Sequence, residues 1–153
     1  MKRIVLISCV SEKLPCKAKA KDLYISSLFR YSLKYAKLLN PNKIFILSAK
    51  YGLLNLDDEI EPYNETLSNI SKKQIEKNPN VKVLSKKERE EWAKTVIKKL
   101  GEKCDLNSDE IIFLAGKRYS ENLIPYIKND KDILKGKRIG ERIGFLKEEC
   151  SDE

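Results

Sequence analysis

The chain has 153 residues, 41% of them apolar and 35% charged, with 31 Lys and Arg against 23 Asp and Glu. That length and balance suit a single compact α/β-sized domain with a real core, and they exclude collagen-like, disordered and membrane-spanning chains, since no apolar run approaches the ~20 residues that cross a bilayer. No histidine occurs, which removes Ser-His and Cys-His nucleophile pairs, imidazole acid-base chemistry and His-dependent zinc sites.

The opening segment contains Ile4-Val5-Leu6-Ile7 between small polar residues, the pattern of a strand buried on both faces. It is too short and too strand-like for a secretory signal, so a cytoplasmic protein without a membrane partner is expected. The strand ends at Ser8 and Cys9. A lysine cluster follows, Lys13, Lys17, Lys19 and Lys21, in a segment with loop character. Residues 1–50 hold 11 Lys or Arg and only Glu12 and Asp22 as acids, whereas 51–153 hold 20 basic and 21 acidic residues. The whole positive excess therefore lies in the first third. Such a tract attracts phosphate or a nucleic-acid backbone, or is a solvated lysine surface.

Asp22 is placed to cap a helix through Leu39, with Ile25, Leu28, Phe29, Ser32, Tyr35, Ala36 and Leu39 at helical steps and Asn40-Pro41 to stop it. A second buried strand, Lys43 to Ala49, carries Ile44-Phe45-Ile46-Leu47. From Lys50 to Leu84 the pattern is irregular, with turn signals at Tyr51-Gly52, Pro62 and Asn78-Pro79-Asn80 and room for one helix over Tyr63 to Lys77. Ser85 with Glu88 forms a capping box for a helix to Gly101, whose apolar face is Trp92, Val96, Ile97 and Leu100. A third buried strand, Glu110 to Ala115, contains Ile111-Ile112-Phe113-Leu114. Arg118 to Lys128 predicts a helix interrupted by Pro125, and Gly140 to Glu149 a closing helix.

Strands alternating with helices predict an α/β fold, a mainly parallel sheet flanked by helices in one domain over 1–153. Ligands of such sheets collect outside the carboxyl ends of the strands. The residues there are Ser8-Cys9, Ser48-Ala49-Lys50-Tyr51-Gly52 and Ala115-Gly116-Lys117-Arg118-Tyr119. Small residues let a ligand approach the backbone, hydroxyls hydrogen-bond it, and Lys50, Lys117 or Arg118 balances phosphate or carboxylate charge. If the three stretches share one hollow, they form a pocket rim for a nucleotide-like or anionic small molecule.

Pro62 fixes the backbone ahead of Tyr63, which then stacks on a ligand or plugs the core; Glu61 and Glu65 beside it are a solvated loop or a ligand-binding or basic pair. Cys9 is a nucleophile if Lys13 or a helix end activates it, and otherwise a buried inert thiol. Lys50 is a Schiff-base candidate or a charge partner for an anion. Cys9, Cys16, Cys104 and Cys150 show no C-x-x-C spacing, no metal-loop motif is present, and neither G-x-G-x-x-G nor G-x-x-x-x-G-K-[ST] occurs, so no metal or cofactor is expected. The Lys, Glu and Ile bias matches heat-adapted compositions.

Leu47-Ser48-Ala49-Lys50-Tyr51-Gly52-Leu53-Leu54 followed by Ile60-x-Pro62-Tyr63 resembles the core of the YaaA peroxide-stress family. Val5-Leu6-Ile7-Ser8 and the Ile112 to Tyr119 stretch are similar to flanking strands of that family. A shorter family of archaea and bacteria is similar over more of the chain, through Cys9, Lys13, Asp22-Leu23-Tyr24, Ser48 to Leu54 and Pro62-Tyr63-x-x-Thr66-Leu67. The YaaA family is associated with DNA binding and protection from peroxide; the resemblance implies a related α/β core here and does not settle the activity, and the helix-hairpin-helix segment that carries DNA binding in that family is not found in this sequence. The resemblance also implies a pocket rim of Ser48, Tyr51, Gly52, Pro62 and Tyr63, extended by Cys9, Lys13, Asp22, Tyr24 and Lys50. With Ser8, Gly116 and Tyr119 from the strand ends, these are the candidate ligand-binding residues; Cys9, Lys50 and Tyr63 are the catalytic candidates. A nucleotide, nucleoside or modified nucleobase is the expected ligand, and DNA or RNA on the basic 13–21 segment the alternative.

Overall fold

The computed structural model describes residues 1–9, 13–68, 72–137 and 139–150. Its elements in chain order are β1 (Arg3–Ser8), β2 (Ala18–Lys19), α1 (Ala20–Leu23), α2 (Ser27–Leu38), β3 (Lys43–Ser48), β4 (Gly52–Asn55), β5 (Glu59–Ile60), β6 (Glu65–Thr66), α3 (Lys72–Lys77), β7 (Lys82–Val83), α4 (Lys86–Lys103), β8 (Glu110–Leu114), α5 (Lys117–Ser120), β9 (Asp130–Asp132) and α6 (Ile139–Cys150). Five strands form one sheet in the order β4-β3-β1-β8-β9. The pairs β3-β1, β1-β8 and β8-β9 are parallel, and β4 runs antiparallel to β3. The fold is thus mixed α/β, with the three strands expected from sequence as parallel neighbours and an antiparallel edge that sequence did not announce.

Burial explains the centre of the sheet. Ile4, Val5 and Leu6 of β1 have no exposed surface, and every residue of β8 is buried. Continuous apolar runs of this kind are what a strand covered on both faces requires. Chain direction then fixes where the helices go. The chain passes from β1 through α2 to β3 on one side of β1, and later through α4 to β8 on the other. With right-handed crossovers, that reversal puts α2 and α4 on opposite faces and leaves a topological switch point at the carboxyl ends of β1 and β8. On one face α2 lies against β1 and α6, while α4 lies against β4.

The helices follow their local signals where these are strong. Ser85 Oγ accepts from the Glu88 N–H while the Glu88 carboxylate accepts from the Ser85 N–H, completing the capping box of α4, and Trp92, Ala93, Val96 and Leu100 form its buried stripe. That helix runs past Gly101 to Lys103. Asp22, by contrast, caps nothing. It lies inside the single turn α1, the backbone extends at Tyr24 to bridge Lys13, and Ser26 caps α2 by accepting from the Phe29 N–H at 3.3 Å. Asn40 ends the helix segment with φ 51°, in the left-handed region that asparagine tolerates.

Two other helix expectations are corrected. Of Tyr63 to Lys77, only Lys72–Lys77 is helical, residues 69–71 lie outside the described residues, and Glu65–Thr66 instead pairs in parallel with Lys82–Val83. Arg118 to Lys128 is not one helix either. It splits into α5 and a 3₁₀ turn, Ile124–Tyr126, because Pro125 has no N–H to continue an α-helical ladder, and the chain then enters β9. Among the described residues, no helix is long and apolar enough to cross a membrane.

Candidate functional site

The carboxyl ends of β1, β3 and β8 are joined by hydrogen bonds. Cys9 N–H donates to Leu47 O at 2.9 Å, and Gly116 N–H donates to Ser8 Oγ at 3.2 Å. Gly116 is the N-cap of α5 with an ordinary extended backbone, and a Cβ there would meet the Arg142 guanidinium at an ordinary 3.6 Å. The turn of α5 carries Tyr119 back toward β1, where its hydroxyl lies 3.1 Å from Cys9 Sγ. The same hydroxyl accepts from Leu67 N–H at 3.4 Å and lies 3.4 Å from Thr66 Oγ1.

A second group of polar atoms surrounds Ser48, which has no exposed surface. Its Oγ accepts from Tyr51 N–H at 3.0 Å and donates to the Tyr63 hydroxyl at 2.8 Å. The Tyr63 hydroxyl is 2.6 Å from that of Tyr24. Ser48 O accepts from Trp92 Nε1 at 2.8 Å, and the Trp92 ring meets Tyr119 edge-on at 5.7 Å, so the two groups adjoin. Buried hydroxyls are satisfied here in a chain, which is what makes their burial tolerable. Burial raises the phenol pKa values of Tyr24, Tyr63 and Tyr119 well above the ordinary range, and the charge on a Cys9 thiolate raises each further.

Lys13 covers the outer side of this network. Its Nζ sits 4.5 Å above the Tyr63 ring and 5.8 Å from that of Tyr24. Burial lowers its pKa, while Cys9 and Glu65 pull the other way. Beside it opens a cavity of about 260 Å³ lined by Lys13, Leu14, Pro62, Tyr63 and Asn64. Glu65 Oε2, next along the chain, is buried without a hydrogen-bond partner. A larger hollow of about 890 Å³ lies at the opposite end of the sheet, lined by Met1, Lys2 and residues 101–109. Its only thiol, Cys104, is pushed up to about 11, first by burial and then by the Asp109 charge, so size favours that hollow and chemistry favours the smaller one.

The candidates from sequence divide accordingly. Cys9, Lys13, Tyr24, Ser48, Tyr51, Tyr63 and Tyr119 adjoin one another, with Ser8 and Gly116 tying the backbone beneath them. The strand ends themselves are mostly buried, so Lys13 and Tyr63, rather than all three stretches, meet the cavity. Tyr63 does not offer an open stacking face: Lys13 lies over its ring, and Tyr24 and Tyr51 meet it edge-on. Lys50 is exposed on the hairpin after β3, with its ammonium 5.5 Å from the Tyr51 ring, and is separate from the buried network. Asp22 is exposed on α1. Gly52 is a turn residue, with φ 74°, that reverses the chain between β3 and β4.

Sequence reasoning left out Trp92 and Thr66 as site residues. Trp92 lies on the apolar face of its helix, and its indole N–H, a donor that needs a buried acceptor, is the signal the sequence carries. Nor was the basic segment matched to the acids after β4. Antiparallel pairing of β2 with β5 sets Lys17 3.8 Å from Glu59, and Lys19 and Lys21 3.9 and 3.5 Å from Asp57. Among the described residues, no three His, Cys, Asp or Glu side chains come together as a metal site.

Residues 4–148 match the model of a family of unknown function, DUF6884. No curated protein and no solved structure matches the chain.

Proposed function

We propose, for a chain that belongs to the DUF6884 family of unknown function, that it binds a nucleotide-like small molecule, a nucleotide, nucleoside or modified nucleobase, at the carboxyl ends of its parallel strands. The observation that carries this reading is Lys13, whose partly desolvated amine lines a 260 Å³ cavity 4.5 Å from the Tyr63 ring. Tyr63, which lines the cavity, accepts from Ser48 Oγ at the carboxyl end of β3, and α/β folds place ligands at that end of the sheet. The cavity's volume lies just below the range of small-molecule sites, which favours a base or nucleoside over a dinucleotide.

The lining supports an acceptor-rich ligand. Lys13 presents N–H donors, and Asn64 Oδ1 already accepts from Asn78 Nδ2 at 3.0 Å, which turns the amide donors of Asn64 toward other partners. Carbonyl or phosphate oxygens complement such a lining. Thermal-shift screening against nucleotides, nucleosides and free bases tests the reading: a ligand at one hundred times its Kd adds about 2.7 kcal/mol of stability, and Lys13→Met removes the effect. No shift from any member of the panel overturns it.

A further inference from the structure

The crossover β8–α5–β9 leaves two polar groups incomplete at the carboxyl end of the sheet. Arg142, half-buried in the first turns of α6, is held by its Nε–H, which donates to Lys137 O at 2.8 Å. Its Nη1 reaches back over the end of β8, 3.6 Å from the point a Cβ on Gly116 would occupy. Among the described residues, neither Nη group has a hydrogen-bond partner and no carboxylate lies within 4 Å of the guanidinium. Asp132 ends β9, the next parallel strand. Its Oδ2 lies 3.3 Å from Ser120 Oγ, and Ser120 N–H donates to Gly116 O at 3.1 Å, which ties the carboxylate to the same turn. Asp132 Oδ1 is buried without a partner, and a buried acceptor in that state calls for a donor. Gly116 N–H donates to Ser8 Oγ, so the turn sits over the ends of β1 and β8. From these two neighbours the chain departs to opposite sides of the sheet, the place where α/β folds bind ligands.

We infer that this turn is a ribose phosphate subsite, in which the Arg142 fork holds phosphate oxygens and Asp132 accepts from a sugar hydroxyl. The inference rests on the reading of the strand ends as a nucleotide-like site, and it places the phosphate of the ligand at β8 rather than at Lys13. A guanidinium stays charged and offers two Nη groups to two oxygens at once, which suits phosphate better than a single neutral acceptor. Phosphate and carboxylate repel each other, so the arginine and the aspartate take different parts of one ligand. A ribose phosphate carries both parts, an anion and neutral hydroxyl donors. The order along the chain agrees: in nucleotide-binding α/β folds a glycine turn after one parallel strand faces phosphate, and an acid near the end of the next binds the ribose. Gly116 after β8 and Asp132 at the end of β9 stand in that relation.

Calorimetric titration of the full chain tests it with nucleoside 5′-monophosphates, the matching nucleosides, ribose 5-phosphate and inorganic phosphate. A monophosphate is expected to bind about tenfold more tightly than its nucleoside, the gain of a charge-assisted contact. Arg142→Met removes that gain and leaves the nucleoside affinity unchanged, while Arg142→Lys, a charge without the fork, restores part of it. Asp132→Asn weakens ribose 5-phosphate and does not weaken inorganic phosphate. In the wild type, phenylglyoxal modification of Arg142, followed by mass spectrometry, is slowed by ribose 5-phosphate, a readout that needs no variant to fold. Equal binding of monophosphate and nucleoside, or a modification rate that ribose 5-phosphate leaves unchanged, overturns the inference. Nucleosides bound through Lys13 with no gain from phosphate reject this subsite and keep the cavity reading. Ribose 5-phosphate bound through Arg142 with no nucleoside bound supports the subsite and rejects the cavity as the base site.

Discussion

Ser48 illustrates what a single residue type conceals. As one small polar residue after a buried strand it suggests a pocket rim, yet it has no exposed surface and acts as a junction, receiving one N–H and passing a hydrogen to Tyr63. Its position was legible from the apolar run before it; its partners, three and 15 residues along the chain, were not. The carboxylates before β8 were likewise unassigned in sequence. Asp109 accepts the N–H groups of Lys2 and Asp105, each at 2.8 Å, and these bonds hold its carboxyl below the usual carboxylate range. The unfolded chain therefore takes up the proton first as pH falls, from about 4. The stabilisation is complete above that value and is lost as pH drops through the lower folded value. Asp109→Asn, which cannot titrate, should be less stable than wild type at about pH 7, with the gap closing toward about pH 2. Urea midpoints across that range measure it, and a constant gap would show that the charge contributes nothing.

Among elements, legibility tracked local self-sufficiency. The runs Ile4 to Ile7, Ile44 to Leu47 and Ile111 to Leu114 became the three central strands, and the Ser85 capping box opened α4 as expected, because each carries its own instruction. The edge strand Gly52–Asn55 was hidden in an irregular stretch, and Asp130–Asp132 has no strand-like composition; both are recruited by a neighbour that offers unpaired backbone groups. The hairpin that makes β4 possible turns on Gly52. Its φ of 74° disfavours any L side chain, whereas a Cβ would meet Val96 Cγ2 at an ordinary 3.7 Å. Gly52→Ala should therefore cost about 1–2 kcal/mol through the backbone alone. Gly136, with φ 77° and nothing within 4 Å, is the matched control. Equal losses at the two positions in urea unfolding are expected; a much larger loss at Gly52 would locate the cost in packing against α4.

Over the whole molecule, the formal charge of +8 and its concentration in the first third suggested a polyanion partner from composition alone. Folding changes that reading, because β2 and β5 bring Lys17, Lys19 and Lys21 within 4 Å of Glu59 or Asp57. Nothing in the sequence paired these segments, since the strands that join them are two residues long and polar. Exposed ion pairs of this kind add little stability, about 0–1 kcal/mol each, but they cancel field over a screening length of about 8 Å. Two carboxylates thus partly offset the charge of Lys17, Lys19 and Lys21 in the folded protein. If the small-molecule reading holds, replacing Lys17, Lys19 and Lys21 by Gln leaves nucleic-acid affinity nearly unchanged. Replacing Asp57 by Asn and Glu59 by Gln instead raises affinity for a short labelled duplex and steepens its salt dependence, as newly available cations release counterions. Fluorescence anisotropy over a salt series distinguishes the two. A wild-type protein that binds the duplex tightly, with a steep salt slope abolished by the lysine replacements, would make the basic segment the functional surface and demote the cavity at Lys13.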